Sequence, residues 1–224
     1  TGKAEFAIPS GSVTVGNSFS MTSGGDLVVG AATGTVSLGS FGVMACGDDL
    51  SMSTTTTTIG SNLTTSSAAT TAMISTTTTV GSGARMTALS SLSVSSTTGN
   101  LTFGSEADLQ STTSTALEAT TGFVVFDVDC KLHANSSLTM TTTSGSMELG
   151  ARCTVTGEVD VTVTSSSGSV DIGDDFVSTA AQNLTMSSSS GSLVAGSDML
   201  MASGHLDLAF TTGSVYLAND FNLT

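Results

Sequence analysis

Positive charge is nearly missing from this chain of 224 residues. Its only basic side chains besides histidine are those of Lys3, Arg85, Lys131 and Arg152, and the formal net charge is −14. Nucleic acids and anionic membranes bind proteins through clusters of Lys and Arg, so neither is expected as a partner. The chain also has no apolar run near the ~20 residues of a membrane span, so membrane insertion is not expected.

Cysteine and proline are scarce, and catalytic motifs are missing. Three cysteines do not make a disulfide framework, and Pro9 is the single proline. The sequence has no nucleophile elbow, no phosphate-binding loop and no dinucleotide fingerprint. His133 and His205 lie far apart with no partner at metal-ligand spacing. These absences argue against an enzyme, a cofactor and a metal site.

What the chain has instead is a repeat. A six-residue phrase recurs ten times at steps of 21 to 23 residues: GSVTVG at Gly11, GTVSLG at Gly34, TTTTIG at Thr55, TTTTVG at Thr76, GNLTFG at Gly99, GFVVFD at Gly122, GSMELG at Gly145, GSVDIG at Gly168, GSLVAG at Gly191 and GSVYLA at Gly213. Self-similarity at such a period predicts a solenoid, in which each unit buries its apolar side against the next.

Within each repeat the apolar residues come in pairs spaced by two. Counting the first residue of the phrase as position 0, the pairs fall at +2/+4, +8/+10 and +16/+18, as in Val170/Ile172 and Leu184/Met186. This spacing predicts three short strands with one buried face. We therefore predict an all-β fold, a single-stranded parallel β-helix of about ten triangular coils, with a right-handed turn. Residues 1–224 are expected to form one continuous domain.

Glycine is concentrated in two columns of the repeat. It occupies position 0 and position +5 in eight of the ten repeats each. Two glycine columns at fixed offsets favour corners with backbone conformations that are closed to other residues.

The two ends of the predicted solenoid lack capping elements. An uncapped end exposes unpaired strands, so both ends are expected to be open. The first and last coils share one phase, which predicts head-to-tail polymerisation of the chain with itself by strand addition. The alternative is a fragment of a longer β-helix, whose neighbouring coils provide the cap. The assembly residues would be Ala4, Phe6, Ile8, Val215, Leu217, Phe221 and Leu223.

Two outward-facing features add further candidates. Positions +1 and +3 form a Ser/Thr array that resembles the ice-binding face of certain antifreeze proteins, although Thr is also an ordinary strand residue. Phe123 and Val125 face outward in this register, which indicates either a lateral contact or a corner folded over its own coil. The threonines of the array are Thr14, Thr35, Thr56, Thr58, Thr77, Thr79 and Thr102.

The three cysteines are expected to be buried thiols. Cys130 and Cys153 share position +8 in adjacent repeats, close to disulfide range, but parallel side chains need not reach bonding geometry. Cys46 is alone, and a buried small residue explains it better than a cross-link to another chain.

Phrases such as GSVDIG, NLTMSSSSGSLVAG, EVDVTVTSSSGSVDIG and GSVYLANDFNLT resemble the repeats of filamentous-haemagglutinin-type secreted adhesins. That resemblance implies a long right-handed β-helix and an extracellular or cell-surface location; it does not identify a receptor, and surface glycans are a separate candidate partner. The function expected is that of a structural subunit in an extracellular filament. The alternatives are a stalk segment of a larger adhesin and an ice-binding protein.

Overall fold

The computed structural model describes residues 2–224 and confirms a β-solenoid of about ten coils. Those residues form 24 strands and no helix, and all the strands join in one parallel sheet. Each coil places its strands in three columns, and every strand between the first and last coils pairs with its equivalents in the coils before and after. Paired residues are 21 to 23 positions apart, as in Val13 with Val36 and Met147 with Val170.

The first column of strands holds positions 0 to +5. In four coils at the start of the chain the third column runs through the corner into the first, because this corner is extended. The continuous strands are β1 (Ala4–Val15), β3 (Leu27–Leu38), β5 (Leu50–Ile59) and β7 (Thr71–Val80). The later strands of the first column are β10 (Leu101–Phe103), β13 (Val124–Phe126), β16 (Met147–Leu149), β19 (Val170–Ile172), β21 (Leu193–Ala195) and β23 (Val215–Leu217).

The second and third columns complete the coil. The second column is made of β2 (Ser20–Ser23), β4 (Val43–Cys46), β6 (Thr64–Ser67), β8 (Arg85–Ala88), β11 (Asp108–Ser111), β14 (Lys131–Ala134), β17 (Thr154–Gly157) and β24 (Asn222–Leu223). The third is made of β9 (Leu92–Ser96), β12 (Thr115–Ala119), β15 (Ser137–Thr142) and β18 (Asp160–Ser165). Two long strands span both columns, β20 (Val177–Ser188) and β22 (Leu200–Phe210).

The core holds the side chains that the spacing of two predicts. Val170 and Ile172 are buried, and Phe103 stacks on Phe126 with ring centroids 4.4 Å apart and planes 3° from parallel. The methionines at these positions are also buried, which fits their use as adaptable fillers of a narrow core. They are Met52, Met86, Met140, Met186, Met199 and Met201.

Two further inward columns lie at +12 and +20, and the hydrophobic pattern does not show them because they hold mostly Ser, Thr, Ala or Cys. The +20 hydroxyls close the corner that follows. Ser165 Oγ donates to the Gly145 carbonyl at 2.8 Å and accepts from the Gly168 amide at 2.9 Å. Ser188 makes the same pair of bonds one coil later. Buried polar groups need such partners, so these hydroxyls fix the corner geometry.

The explanation predicted for the glycine columns is wrong, except at Gly11, whose φ is 106°. The left-handed backbone lies at position +7, where nine non-glycine residues have φ between 54° and 62° and Gly83 has φ of 67°. Glycine at positions 0 and +5 is required instead by close stacking of the corners: a Cβ on Gly145 would lie 1.9 Å from the Gly122 carbonyl oxygen. The nine residues are Ser18, Phe41, Asn62, Glu106, Asp129, Arg152, Asp175, Asp198 and Asp220.

Coils 3 and 4, which start at Thr55 and Thr76, have Thr in place of Gly at their starting corners. The step from Gly34 to Thr55 and the step from Thr55 to Thr76 are the two short ones of 21 residues. The pairing of β3 with β5 accordingly shifts by two residues between Ala31 and Thr35. The two residues by which this coil is shorter are therefore missing from one corner, and the strands on either side of that corner keep their register.

Candidate functional site

The two end faces of the solenoid expose apolar side chains. Strand β1 pairs only with β3, so its other edge has no partner within residues 2–224. Phe6 is 48% exposed on this face, and Ala4 and Ile8 are only partly buried. At the opposite end, within the same described residues, β23 pairs only with β21, and its apolar side chains are exposed, as is that of Leu223. Each face is thus an open strand edge over an incompletely covered core.

The apolar columns of the two end faces have the same phase. Val13 and Val15 occupy +2 and +4 of the first coil, and Val215 and Leu217 occupy +2 and +4 of the last. The repeat in the sequence predicts the end residues of β1 and β23 together with Phe221 and Leu223. The match with β22 is not visible there, because it depends on the one-residue shift in the pairing of β20 with β22. The other matching pairs are Phe19 with Phe221, Met21 with Leu223, Ala4 with Leu206, Phe6 with Leu208 and Ile8 with Phe210.

Gly16 is the corner glycine at +5 of the first coil, and it lies on the end face of the solenoid. In the following coils the corner glycine at +5 would direct a Cβ into the coil before it; on Gly39 that atom would lie 2.5 Å from the carbonyl carbon of Gly16. Gly16 itself has no atom within 4 Å of its Cβ position. The first coil therefore keeps a glycine on a side where, among the described residues, no backbone requires it.

The Ser/Thr array lies in two straight columns on the first strand column. Thr35 pairs with Thr56 and Thr56 with Thr77 in one column. In the other, Thr58 pairs with Thr79 and Thr79 with Thr102, and the array starts where Thr14 pairs with Ser37. The predicted threonines are therefore brought together on one outer surface, exposed or half-buried, over five coils.

Phe123 and Val125 lie on the outer side of the sixth coil, but in different settings. Phe123 is 48% exposed beside the corner, whereas Val125 is half-buried in β13. Val125 belongs to a groove that runs along the solenoid axis across the fifth to ninth coils, with a volume of about 580 Å³.

This corner groove follows the glycine column at +5. One wall is the outward +3 column, and the other begins at Val128 and Ala151 of the +6 column. Glu148 pairs with Asp171 in the +3 wall, so two carboxylates stand on adjacent strands. Burial raises the pKa of Asp171 above its ordinary value. The groove is missed by sequence patterns, because it results from side chains that are absent at +5 in all of its coils but the sixth, where Asp127 lines it.

Three of the four basic side chains share one surface, beside the groove. Arg85 and Lys131 lie at +9 and Arg152 at +7, within four consecutive coils. Arg152 binds Asp129 through two hydrogen bonds of 2.7 Å, and Arg85 lies 3.5 Å from Asp108. The hydrogen bond from Arg152 lowers the pKa of Asp129. The spacing of these residues in the sequence, close to whole numbers of coils, was the signal that could have shown this surface.

The three cysteines are free thiols, as expected, and all are buried. Cys153 Sγ donates to the Asp127 carbonyl at 3.1 Å, and Cys130 Sγ donates to the Gly104 carbonyl at 3.4 Å. The neighbouring Cys153 thiol and burial raise the pKa of Cys130, so it stays protonated. These thiols fill the core and are not exposed to act as nucleophiles.

These features define a class: a parallel β-solenoid repeat protein with a grooved corner. No protein-family model, curated protein or solved structure matches this chain. No helix among residues 2–224 is long and apolar enough to cross a membrane.

Proposed function

We propose that this protein is a structural subunit that polymerises head to tail into a filament. The first coil of one copy stacks on the last coil of the next and continues its three strand columns. The observation that carries the proposal is the phase match of apolar columns on the two end faces, each of which has an unpaired strand edge among the described residues. We place the filament outside the cell, on the basis of the resemblance to filamentous-haemagglutinin-type adhesins.

The stacked contact would bury side chains that are now exposed or only partly buried. Phe6 would cover Leu208, and Phe19 would stack on Phe221 as Phe103 stacks on Phe126 inside the solenoid. Each large apolar side chain that becomes buried contributes about 1.5–3 kcal/mol. The main-chain groups of β1 would pair with those of β22 and β23, as in strand addition at a sheet edge.

Electron microscopy of the purified chain tests the proposal. We expect filaments with an axial repeat of roughly 48 Å, which is ten coils at about 4.8 Å each. The decisive variant is Gly16→Ala, because its new methyl group meets no atom of residues 2–224 within 4 Å but would enter the corner of a copy stacked beneath it. This variant should remain folded by circular dichroism and lose the filaments.

A matched control makes the same substitution outside the glycine columns at 0 and +5. Gly2→Ala also adds a methyl group with no atom of the described residues within 4 Å, at a corner position where later coils carry side chains such as those of Ala69 and Ser90. It should still form filaments. Single particles from the unaltered chain at every concentration would refute head-to-tail assembly and would favour a stalk segment, in which further coils of a longer polypeptide cover the end faces.

A second candidate function is ice binding, favoured by the two straight threonine columns over five coils. Thr58 lies at the centre of the array and is exposed. Thermal hysteresis that disappears in Thr58→Tyr, with the fold unchanged, would support this function. Hysteresis equal in both proteins would count against it.

A further inference from the structure

The Phe41 side chain is an apolar knob at a strained position. Its φ is 59°, and the side chain is 64% exposed. A bulky residue in the left-handed region is an energetically unfavourable outlier. Most other residues at this +7 position are polar or charged, and Asn62 is the equivalent residue one coil later. Neither packing within the subunit nor backbone preference accounts for phenylalanine at this position.

The corner groove is a cavity that fits such a knob. Its volume of about 580 Å³ exceeds that of one phenyl ring, and Val125, Val194, Val128 and Ala151 supply apolar walls. The +7 ridge and the groove lie side by side along the same corner. Two copies that meet at this corner, related by a two-fold operation about an axis parallel to their lengths, therefore place the ridge of each against the groove of the other.

The axial distance between the knob and the groove matches the proposed filament. Phe41 lies in the second coil and Gly150, at the centre of the groove, in the seventh. Five coils correspond to about 24 Å, which is half of the ten-coil repeat. We propose that two parallel filaments pair side by side, displaced by half a repeat, with Phe41 of each subunit inserted into the corner groove of a subunit in the other. This inference rests on the proposed filament.

Charge complementarity supports the half-repeat displacement. In this arrangement the +3 residues of one filament face the +7 residues of the other, five coils away. Asp171 then faces the amide of Asn62, Glu148 lies beside the inserted Phe41 side chain, and no carboxylate of the +3 column faces one of the +7 column. Without the displacement Asp171 would face Asp175, and Glu148 would face Arg152, which Asp129 already binds. The remaining acidic residues at +7 meet hydroxyl groups, in the pairs Asp129 with Thr14, Asp175 with Thr58, Asp198 with Thr79, Asp220 with Thr102 and Glu106 with Tyr216.

The test uses Phe41→Asn, which removes the knob without endangering the fold. Asn is tolerated in the left-handed region, so this variant should be at least as stable as the unaltered chain. We expect micrographs of the unaltered chain to show paired filaments, and those of Phe41→Asn to show single filaments with the same axial repeat. Leu89→Asn is the matched control, since Leu89 is 58% exposed on a different corner, and it should leave the pairs intact.

A second variant blocks the contact from the groove side. Ala151→Phe fills the groove, and it should also give single filaments. Filaments of the unaltered chain that are already single, or pairs that persist in both Phe41→Asn and Ala151→Phe, would overturn the proposal.

The lateral contact can also be measured without filaments. In the Gly16→Ala background, sedimentation should show concentration-dependent association that adding Phe41→Asn weakens by about tenfold or more. Association that is absent, or that Phe41→Asn leaves unchanged, would overturn the lateral contact, whereas a failure of head-to-tail assembly is read from the filaments of the unaltered chain.

Discussion

Thr57 and Thr78 are paired on adjacent strands and are both fully buried, but only one of their hydroxyl groups has a partner. Thr78 Oγ1 shares a hydrogen bond with Ser75 Oγ. Thr57 Oγ1 has no hydrogen-bond partner among the described residues, and neither has Thr65 Oγ1 in the same coil. A buried hydroxyl without a partner costs about 1–3 kcal/mol, so these groups lower the stability of the third coil.

Thr57→Val should therefore stabilise the protein. Valine keeps the shape of threonine and removes the unsatisfied hydroxyl, which predicts a gain of about 1–3 kcal/mol in the free energy of unfolding. Thr78→Val is the matched control and should destabilise, because Ser75 loses its partner. Urea denaturation measures both, and a loss of stability in Thr57→Val would show that its hydroxyl is satisfied in solution.

Ser165→Ala should destabilise the solenoid at the corner between the seventh and eighth coils. It leaves the Gly168 amide without its acceptor and the Gly145 carbonyl without this donor, at a cost of about 1–3 kcal/mol. The neighbouring Ser166→Ala changes an exposed side chain and should have little effect. Thermal unfolding of the two variants compares them directly, and equal midpoints would show that the +20 hydroxyls do not hold the corner.

Gly145→Ala should be more damaging than any alanine substitution at an exposed glycine. Its Cβ would lie 1.9 Å from a backbone oxygen of the preceding coil, so two coils must separate locally. Forced overpacking of this kind costs about 1–3 kcal/mol or more. Gly2→Ala adds the same methyl group where no atom of the described residues lies within 4 Å, and it should unfold at the denaturant concentration of the unaltered chain. A tolerated Gly145→Ala would mean that the corners stack more loosely than this distance indicates.

Two carboxyl groups should change the pH dependence of stability with opposite sign. The pKa of Asp171 is raised by burial, so its charged form opposes folding at neutral pH, and protonation removes this penalty as the pH falls through the raised pKa. The pKa of Asp129 is lowered by Arg152, so its charged form favours folding above the ordinary carboxyl pKa, and this contribution is lost as the pH falls through the lowered pKa.

Accordingly, Asp171→Asn should be more stable than the unaltered chain at pH 7, and the difference should close as the pH falls below about 4. Asp129→Asn should be less stable at pH 7, with a difference that closes at still lower pH. Denaturation at a series of pH values measures both. The prediction fails if the two variants shift stability in the same direction at pH 7.

The fold could be predicted because strand spacing and coil length are both visible in the sequence. Alternation of the Val170–Ile172 type sets the buried face, and the repeat sets which residues pair. The +20 column was not visible, since Ser165 and Thr142 look like surface residues until a corner brings backbone polar groups to them. The left-handed position was also hidden, because residues as different as Phe41 and Asp129 occupy it.

The candidate surfaces could be predicted only where they follow from the repeat alone. The end faces and the threonine columns follow directly from coil phase. The corner groove does not, because Val125 and Val194 become its walls only when the intervening glycines leave the floor empty. The knob at Phe41 is recognised only from its positive φ together with its exposure, and the sequence shows neither.

In a solenoid each coil contacts only its immediate neighbours, so cohesion along the axis is set locally. The third coil combines a shortened corner with two buried threonine hydroxyls, of Thr57 and Thr65, that have no partner among the described residues, while the coils on either side bury more Met, Leu and Val. A rod under tension would yield first at this plane, well away from its tips. The resistance of the rod to breaking would then depend on a few buried threonines in its interior.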